Sequence, residues 1–117
     1  MTQTFRDLIA WQLAKGLARL VYEATRAFPN EERFGLAMQL RRAAVSVPSN
    51  IAEGRGRGTK KDFAHFLMQA RGSLYEVETQ IELASDLHYL NNSEAARLLE
   101  ACNELSRVLN GLINSIT

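Results

Sequence analysis

Very little punctuates this chain of 117 residues, which has one cysteine, two prolines and seven glycines. A single cysteine excludes an internal disulfide, so nothing in the chain requires an oxidising compartment. No uninterrupted apolar stretch approaches the roughly 18 residues of a membrane span. Arg6, Asp7, Lys15 and Arg19 interrupt any apolar segment that a secretory leader would need near the start. The expected location is therefore the cytoplasm, with no membrane contact. No strand pattern, internal repeat or low-complexity tract is visible beyond Gly54-Arg55-Gly56-Arg57-Gly58. Net charge is also scarce, at +1, which does not favour strong indiscriminate binding to nucleic acid.

What the chain does have is apolar content, 46% of its residues, arranged with helical spacing. That is too much for a disordered tail and, at this length, implies one domain over residues 1–117. Four all-α segments are expected. The first runs from about Arg6 to Phe28 with Ala10, Leu13, Ala14, Leu17, Leu20, Val21, Ala24 and Phe28 on one face, and Pro29 stops it. The second runs from near Phe34 to Gly54, a left-handed cap, with Leu36, Leu40, Ala43, Ala44, Val47 and Ile51 as its core stripe. Pro48 removes a backbone donor inside it, so a kink or break is expected there.

Thr59 with Asp62 opens the third, which aligns Phe63, Phe66, Leu67, Ala70, Leu74, Val77, Ile81 and Ala84 and runs to about Leu90. Asn91, Asn92 and Ser93 form a turn. The fourth places Ala95, Leu98, Cys102, Leu105, Leu109, Leu112 and Ile116 in steps of three and four, the seam of a left-handed antiparallel four-helix bundle. A third helix of about 30 residues would be about 45 Å long, so the bundle must be elongated.

Two flanks look too apolar for water. Leu8, Trp11, Ala18 and Tyr22 on the first helix, and Phe34, Met38, Val45, Pro48 and Ala52 with Arg41 among them on the second, lie beside the core stripes. Helices apolar on two sides are usually covered on both, which predicts a subunit interface through Leu8, Trp11, Ala18, Tyr22, Phe34, Met38, Arg41 and Val45. Scattered surface apolars or a broad core stripe are the bland alternatives for the same pattern.

The near-zero net charge hides a segregation. Residues 41–71 sum to +5 and residues 75–104 to −6. The sharpest feature is the cationic turn Gly54-Arg55-Gly56-Arg57-Gly58-Thr59-Lys60-Lys61 directly before a helix start. Lys60 and Lys61 there oppose the helix dipole by about 0.3–1 kcal/mol each, whereas a phosphate would meet both cations and free backbone N–H groups. A solvated hinge, or a basic corner that meets a neighbour's acidic helices, fits equally. The spacing is not that of a P-loop. Arg41 and Arg42 diverge by about 100° and suit either a nucleic-acid backbone or carboxylates across an interface.

Catalytic arrangements are thin. His65 and His88 would lie about 35 Å apart on one helix. Asp62 and His65 are one turn apart with no second pair to complete a metal site, so no metal or other cofactor is expected. Cys102 sits in the seam as an inert thiol, and Glu76, Glu78 and Glu82 read as a solvated or subunit-facing acidic flank.

Several strings resemble a known family. Leu8 with Trp11, Val21-Tyr22 and Thr25, Phe28-Pro29, Phe34-Gly35-Leu36, Gln39 and Arg41-Arg42-Ala43-Ala44 lead into Ser46-Val47-Pro48-Ser49-Asn50-Ile51-Ala52-Glu53-Gly54. Phe63, Phe66-Leu67, Ala70, Gly72-Ser73-Leu74, Glu76 and Glu78-Thr79 continue the match. This is similar to the bacterial four-helix bundle proteins found as reading frames in intervening sequences of 23S ribosomal RNA genes. The resemblance covers about three quarters of the chain. It implies an up-down-up-down bundle, a ring-like homopentamer and no known enzymatic activity. It also implies kinship with the accessory variability protein of diversity-generating retroelements, a partner of nucleic acid and of a reverse transcriptase.

The resulting expectation is a non-enzymatic homo-oligomer, a pentamer by resemblance, that holds RNA or DNA phosphates through Arg55, Arg57, Lys60 and Lys61, helped by Arg41, Arg42 and Arg71. The alternative is a protein-interaction scaffold whose basic and acidic zones serve assembly.

Overall fold

The computed structural model describes residues 4–117. Four helices make up most of it: α1 (Ile9–Thr25), α2 (Leu36–Gly56), α3 (Lys60–Asp86) and α4 (Asn92–Ile116), with short 3-10 turns at Phe5–Asp7 and Asn30–Glu32. Among the described residues there is no strand.

Each boundary has a local cause. At the start, Thr4 caps the first 3-10 turn and Leu8 is extended, so the helix expected from Arg6 begins only at Ile9. The Thr59 hydroxyl accepts the Asp62 amide at 3.1 Å, the anticipated start of α3. That helix stops at Asp86 rather than near Leu90, because His88 adopts a positive φ of 63° and the Tyr89 amide returns to the Ala84 carbonyl at 2.9 Å. Asn91 and Glu94 then form a reciprocal capping box, Asn91 Oδ1 accepting the Glu94 amide at 2.8 Å and Glu94 Oε1 accepting the Asn91 amide at 3.0 Å.

The α2 helix runs on from Leu36 to Gly56 with Pro48 inside, so of the kink or break expected there the break does not occur. One expectation about α2 is corrected. Gly54 is not its left-handed cap but a buried helical residue; the positive φ falls on Gly58, at 88°. The physical need at position 54 is space, because a Cβ there would lie 2.6 Å from the Phe66 Cβ of α3.

α1 packs on α2 and α4, and α3 packs on α2 and α4, while the diagonal pairs do not meet. The α2–α3 pair is antiparallel, since Gly54 meets Phe66 and, farther back on α2, the Ser46 hydroxyl meets that of Ser73 at 2.9 Å. The bundle measures 45 × 23 × 23 Å, the elongated form that long helices impose. Leu17, Leu40, Ile51, Leu67, Leu74, Ile81, Leu105 and Leu109 fill its axis, each worth about 1.5–3 kcal/mol of burial. Every expected core position of α2 is buried; Leu13, Leu20, Ala24, Phe63, Phe66, Leu112 and Ile116 are only partly covered. No helix among the described residues is long and apolar enough to cross a membrane.

Candidate nucleic-acid interface

The turn between α2 and α3 is built to expose charge. α2 winds on through Arg55 to Gly56, and the Arg57 amide closes the last turn on the Gly54 carbonyl at 3.2 Å. Gly58 then reverses the chain with its positive φ, and Thr59, extended, opens α3. Behind the turn, Gly54 lets α2 approach Phe63 and Phe66, so two packed helix ends hold the loop.

Arg55, Arg57, Lys60 and Lys61 all project into solvent from this short stretch. They are not equivalent. Arg57 is steadied on both sides, its guanidinium donating to Glu53 Oε2 at 3.2 Å and lying 4.9 Å from the centre of the Phe66 ring. Among the described residues this is the only ion pair. At the start of α3 the Thr59 hydroxyl takes the Asp62 amide and the Thr59 carbonyl takes the Phe63 amide. The preceding amides of Lys60 and Lys61 have no intrahelical acceptor by the geometry of a helix end. Cationic side chains and unsatisfied N–H groups therefore share one corner, a combination that attracts oxyanions.

The three remaining basic residues lie elsewhere. Arg41 belongs to the opposite half of α2, about 21 Å along the helix from Arg55. Its Nε donates to the Thr25 hydroxyl at 2.7 Å, its Nη2 to the Tyr22 carbonyl at 3.3 Å, and the guanidinium sits 4.4 Å from the Tyr22 ring centre. It ties α2 to the end of α1. Arg71 is half-buried and donates to Asn110 Oδ1 at 3.0 Å, linking α3 to α4. Arg42 is exposed on a shallow groove between α2 and α3 with Gln39, Ser46, Ser73, Glu76 and Gln80. The seven basic residues expected to contact phosphate are thus four at the corner and three along the bundle.

Acidic residues occupy the other half of α3 and the exposed side of α4. Glu78 is held above the usual carboxylate range by partial burial and then by Glu82 one turn on. Burial, reinforced by Glu78, pushes the Cys102 thiol up to about 12. Among the described residues no three His, Cys, Asp or Glu side chains come together as a metal site would need. His65 is exposed and lies within 3.1 Å of the Gln69 amide nitrogen.

The α1–α2 flank is partly as expected. Tyr22, Phe34, Met38 and Val45 are exposed, whereas Leu8, Trp11 and Ala18 are partly covered by the core. Further exposed apolar side chains, Met68, Tyr75 and Leu83 on α3 and Leu87 just past its end, escape sequence reasoning because glutamates and Thr79 interleave them.

The fold has a solved counterpart in a protein of unknown function of the S23 ribosomal protein family from Bacteroides thetaiotaomicron. The two share 20% identity with a TM-score of 0.84, over 91% of this chain and 96% of that one. Among curated proteins, none matches the sequence. The model of the 23S rRNA-intervening sequence protein family matches residues 6–111, nearly the whole bundle, and the chain belongs to that family.

Proposed function

We propose that the chain is a non-enzymatic bundle that self-associates, in the ring-like form its resemblance implies, and holds the phosphates of structured RNA or DNA on the cationic corner between α2 and α3. The observation that carries this reading is the joint exposure of Arg55, Arg57, Lys60 and Lys61 beside the open amides of a helix start. Assembly would multiply that corner, so several weak phosphate contacts act together. Such contacts position a nucleic acid without reading its sequence, and Arg42 extends the path along α2. A reverse transcriptase would be a further partner by resemblance only.

Titration of a structured RNA hairpin and of duplex DNA across a salt series tests the claim. Binding should weaken steeply with salt, and replacing the four cations with Gln should flatten the dependence by about 0.9 in log–log slope for each phosphate no longer neutralised. A wild-type affinity that ignores salt overturns it.

A second reading is supported by the single ion pair found among the described residues, which leaves most of the basic and acidic groups for other molecules. As a protein-interaction scaffold, the chain would bind no nucleic acid, and the same Gln substitutions would dissociate its assembly.

A further inference from the structure

The open side of the α2–α3 seam is polar. Gln39, Arg42, Ser46, Asn50 and Glu53 recur every three or four residues on α2, so they share one face of the helix. Asn50 Nδ2 donates to the Ser46 carbonyl at 2.8 Å and to its hydroxyl at 3.0 Å, and that hydroxyl lies 2.9 Å from the one of Ser73 on α3. Because the two helices are antiparallel, the residues beyond this hydroxyl pair face each other in levels. Arg42 and Glu76 stand about one turn away, and Gln39 and Gln80 about two turns away. These side chains line a single groove of about 360 Å³. In the other direction the α2 row ends at Glu53, which holds Arg57 of the cationic corner at 3.2 Å.

Polar capacity in this groove is left unspent. Arg42 and Glu76 line it from opposite helices, both exposed, yet they form no ion pair; the only one among the described residues joins Glu53 to Arg57. Gln80 Oε1 is buried without a hydrogen-bond partner, the one such side-chain atom among the described residues. A buried acceptor left in this way is unfavourable, and a ligand donor that reaches it removes the penalty. No aromatic ring lines the groove, so a ligand here is held by its edge and not by stacking.

We propose that the groove takes the edge of an unpaired guanine of the nucleic acid whose phosphates rest on the corner. A guanidinium fork matches two adjacent acceptors, and guanine offers O6 beside N7. A carboxylate matches two adjacent donors, and guanine offers N1–H beside its exocyclic N2 amine. Adenine, cytosine and uracil each lack one of these pairs or both. A free guanidinium and a free carboxylate on facing walls therefore select guanine, and Gln80, one turn beyond Glu76, adds its unmet acceptor on the carboxylate side. The base must be unpaired, because a duplex already engages N1–H and the amine. Arg42 lies about 20 Å from Arg55 along α2, a span that a few nucleotides of a loop bridge. The inference rests on the nucleic-acid reading above and goes further by adding one base contact to contacts that otherwise only position.

RNA hairpins with one common stem and uridine loops carrying a single guanine, adenine or inosine test this, in titrations at fixed salt. Wild type should bind the guanine loop about tenfold tighter than the adenine loop. Inosine, which keeps O6, N7 and N1–H but lacks the amine, should fall between them. Glu76→Gln and Arg42→Gln should each cut the preference to about twofold or less. Both positions are exposed and outside any ion pair, so melting should stay that of wild type. The Glu76 effect has a distinctive sign. Loss of a surface carboxylate favours phosphate binding in general, so the adenine loop should bind Glu76→Gln at least as well as wild type while the guanine loop loses its advantage. Equal wild-type affinity for all loops, inosine as tight as guanine, or a preference that survives either substitution overturns the groove assignment and leaves the phosphate reading standing. A wild type that binds no hairpin at low salt overturns both.

Discussion

Gly54 of α2 and Phe66 of α3 touch so closely that a Cβ added to the glycine would lie 2.6 Å from the Phe66 Cβ, with the Phe63 carbonyl 3.3 Å away on the same side. Neither neighbour is the free end of a flexible side chain, so the helices themselves would have to part. Gly54→Ala should cost about 1–3 kcal/mol as overpacking. Gly56, also helical, has nothing within 4 Å of its added Cβ, so Gly56→Ala should stabilise by about 0.4–1 kcal/mol. Thermal melts of the two variants should therefore move in opposite directions, and a shared direction would contradict the geometry.

Glu32 fastens the α1–α2 connection to the α3–α4 connection at the same end of the bundle. One carboxylate oxygen accepts the Leu36 amide at 2.9 Å and the other accepts the Tyr89 hydroxyl at 2.9 Å. These bonds, the Leu36 amide first, hold its carboxyl below the ordinary 4.5, while the same contact raises the Tyr89 hydroxyl above 10.0. A depressed carboxylate contributes stability above its unfolded value, and that contribution fades as pH falls through the folded one. Tyr89 contributes below its unfolded value and loses it as pH rises toward the folded one. Melting temperature followed downward from pH 6 should fall more steeply in wild type than in Glu32→Gln, and parallel curves would dismiss the linkage.

Periodicity makes the four helices and the α2 core legible in the sequence, and a capping pattern the Thr59 start of α3, because buried stripes and caps are local signals. Three features are not legible there. Gly54 resembles a helix stop in sequence, yet its role comes from Phe66 twelve residues later. The end of α3 is hidden because Leu87, Tyr89 and Leu90 continue its apolar content through a turn set by the positive φ of His88. Arg41 reads as a contact for nucleic acid or for carboxylates across an interface and Arg71 as a phosphate contact, and only the packing of α1 and α4 shows them hydrogen-bonded to Thr25 and Asn110. The corner of Arg55, Arg57, Lys60 and Lys61 is visible because its residues lie within one short stretch of chain.

Cys102 lies in the α4 seam, fully buried. With its thiol raised to about 12 by burial and by Glu78, almost no thiolate exists at pH 8. Iodoacetamide should leave the folded protein unlabelled for hours and label it within minutes in denaturant. Rapid labelling under native conditions would mean that the seam opens.

Arg41 spends its guanidinium inside the chain, on the Thr25 hydroxyl, the Tyr22 carbonyl and the Tyr22 ring. Arg41→Ala should lower stability by about 1–3 kcal/mol. Arg41→Lys should recover little of it, because a single ammonium cannot reproduce the planar fork. The salt dependence of nucleic-acid binding should be the same in both variants as in wild type. A flatter dependence with unchanged stability would place Arg41 on the nucleic acid instead.

Glu53 makes the sharpest test of the cationic corner, since it holds Arg57 at 3.2 Å while both side chains remain about half exposed, at 52%. An exposed i,i+4 pair of this kind is worth at most about 0.5 kcal/mol, so Glu53→Gln should hardly move the melting temperature. The substitution nevertheless removes the one carboxylate paired with the corner and frees Arg57 for phosphate. If the corner binds nucleic acid, affinity for an RNA hairpin should rise severalfold at low salt, and the log–log salt slope should steepen by up to about 0.9, the share of one further neutralised phosphate. In a scaffold whose cations face protein carboxylates, the same variant would change assembly and leave the hairpin unbound. Unchanged binding and unchanged assembly together would remove Arg57 from both roles.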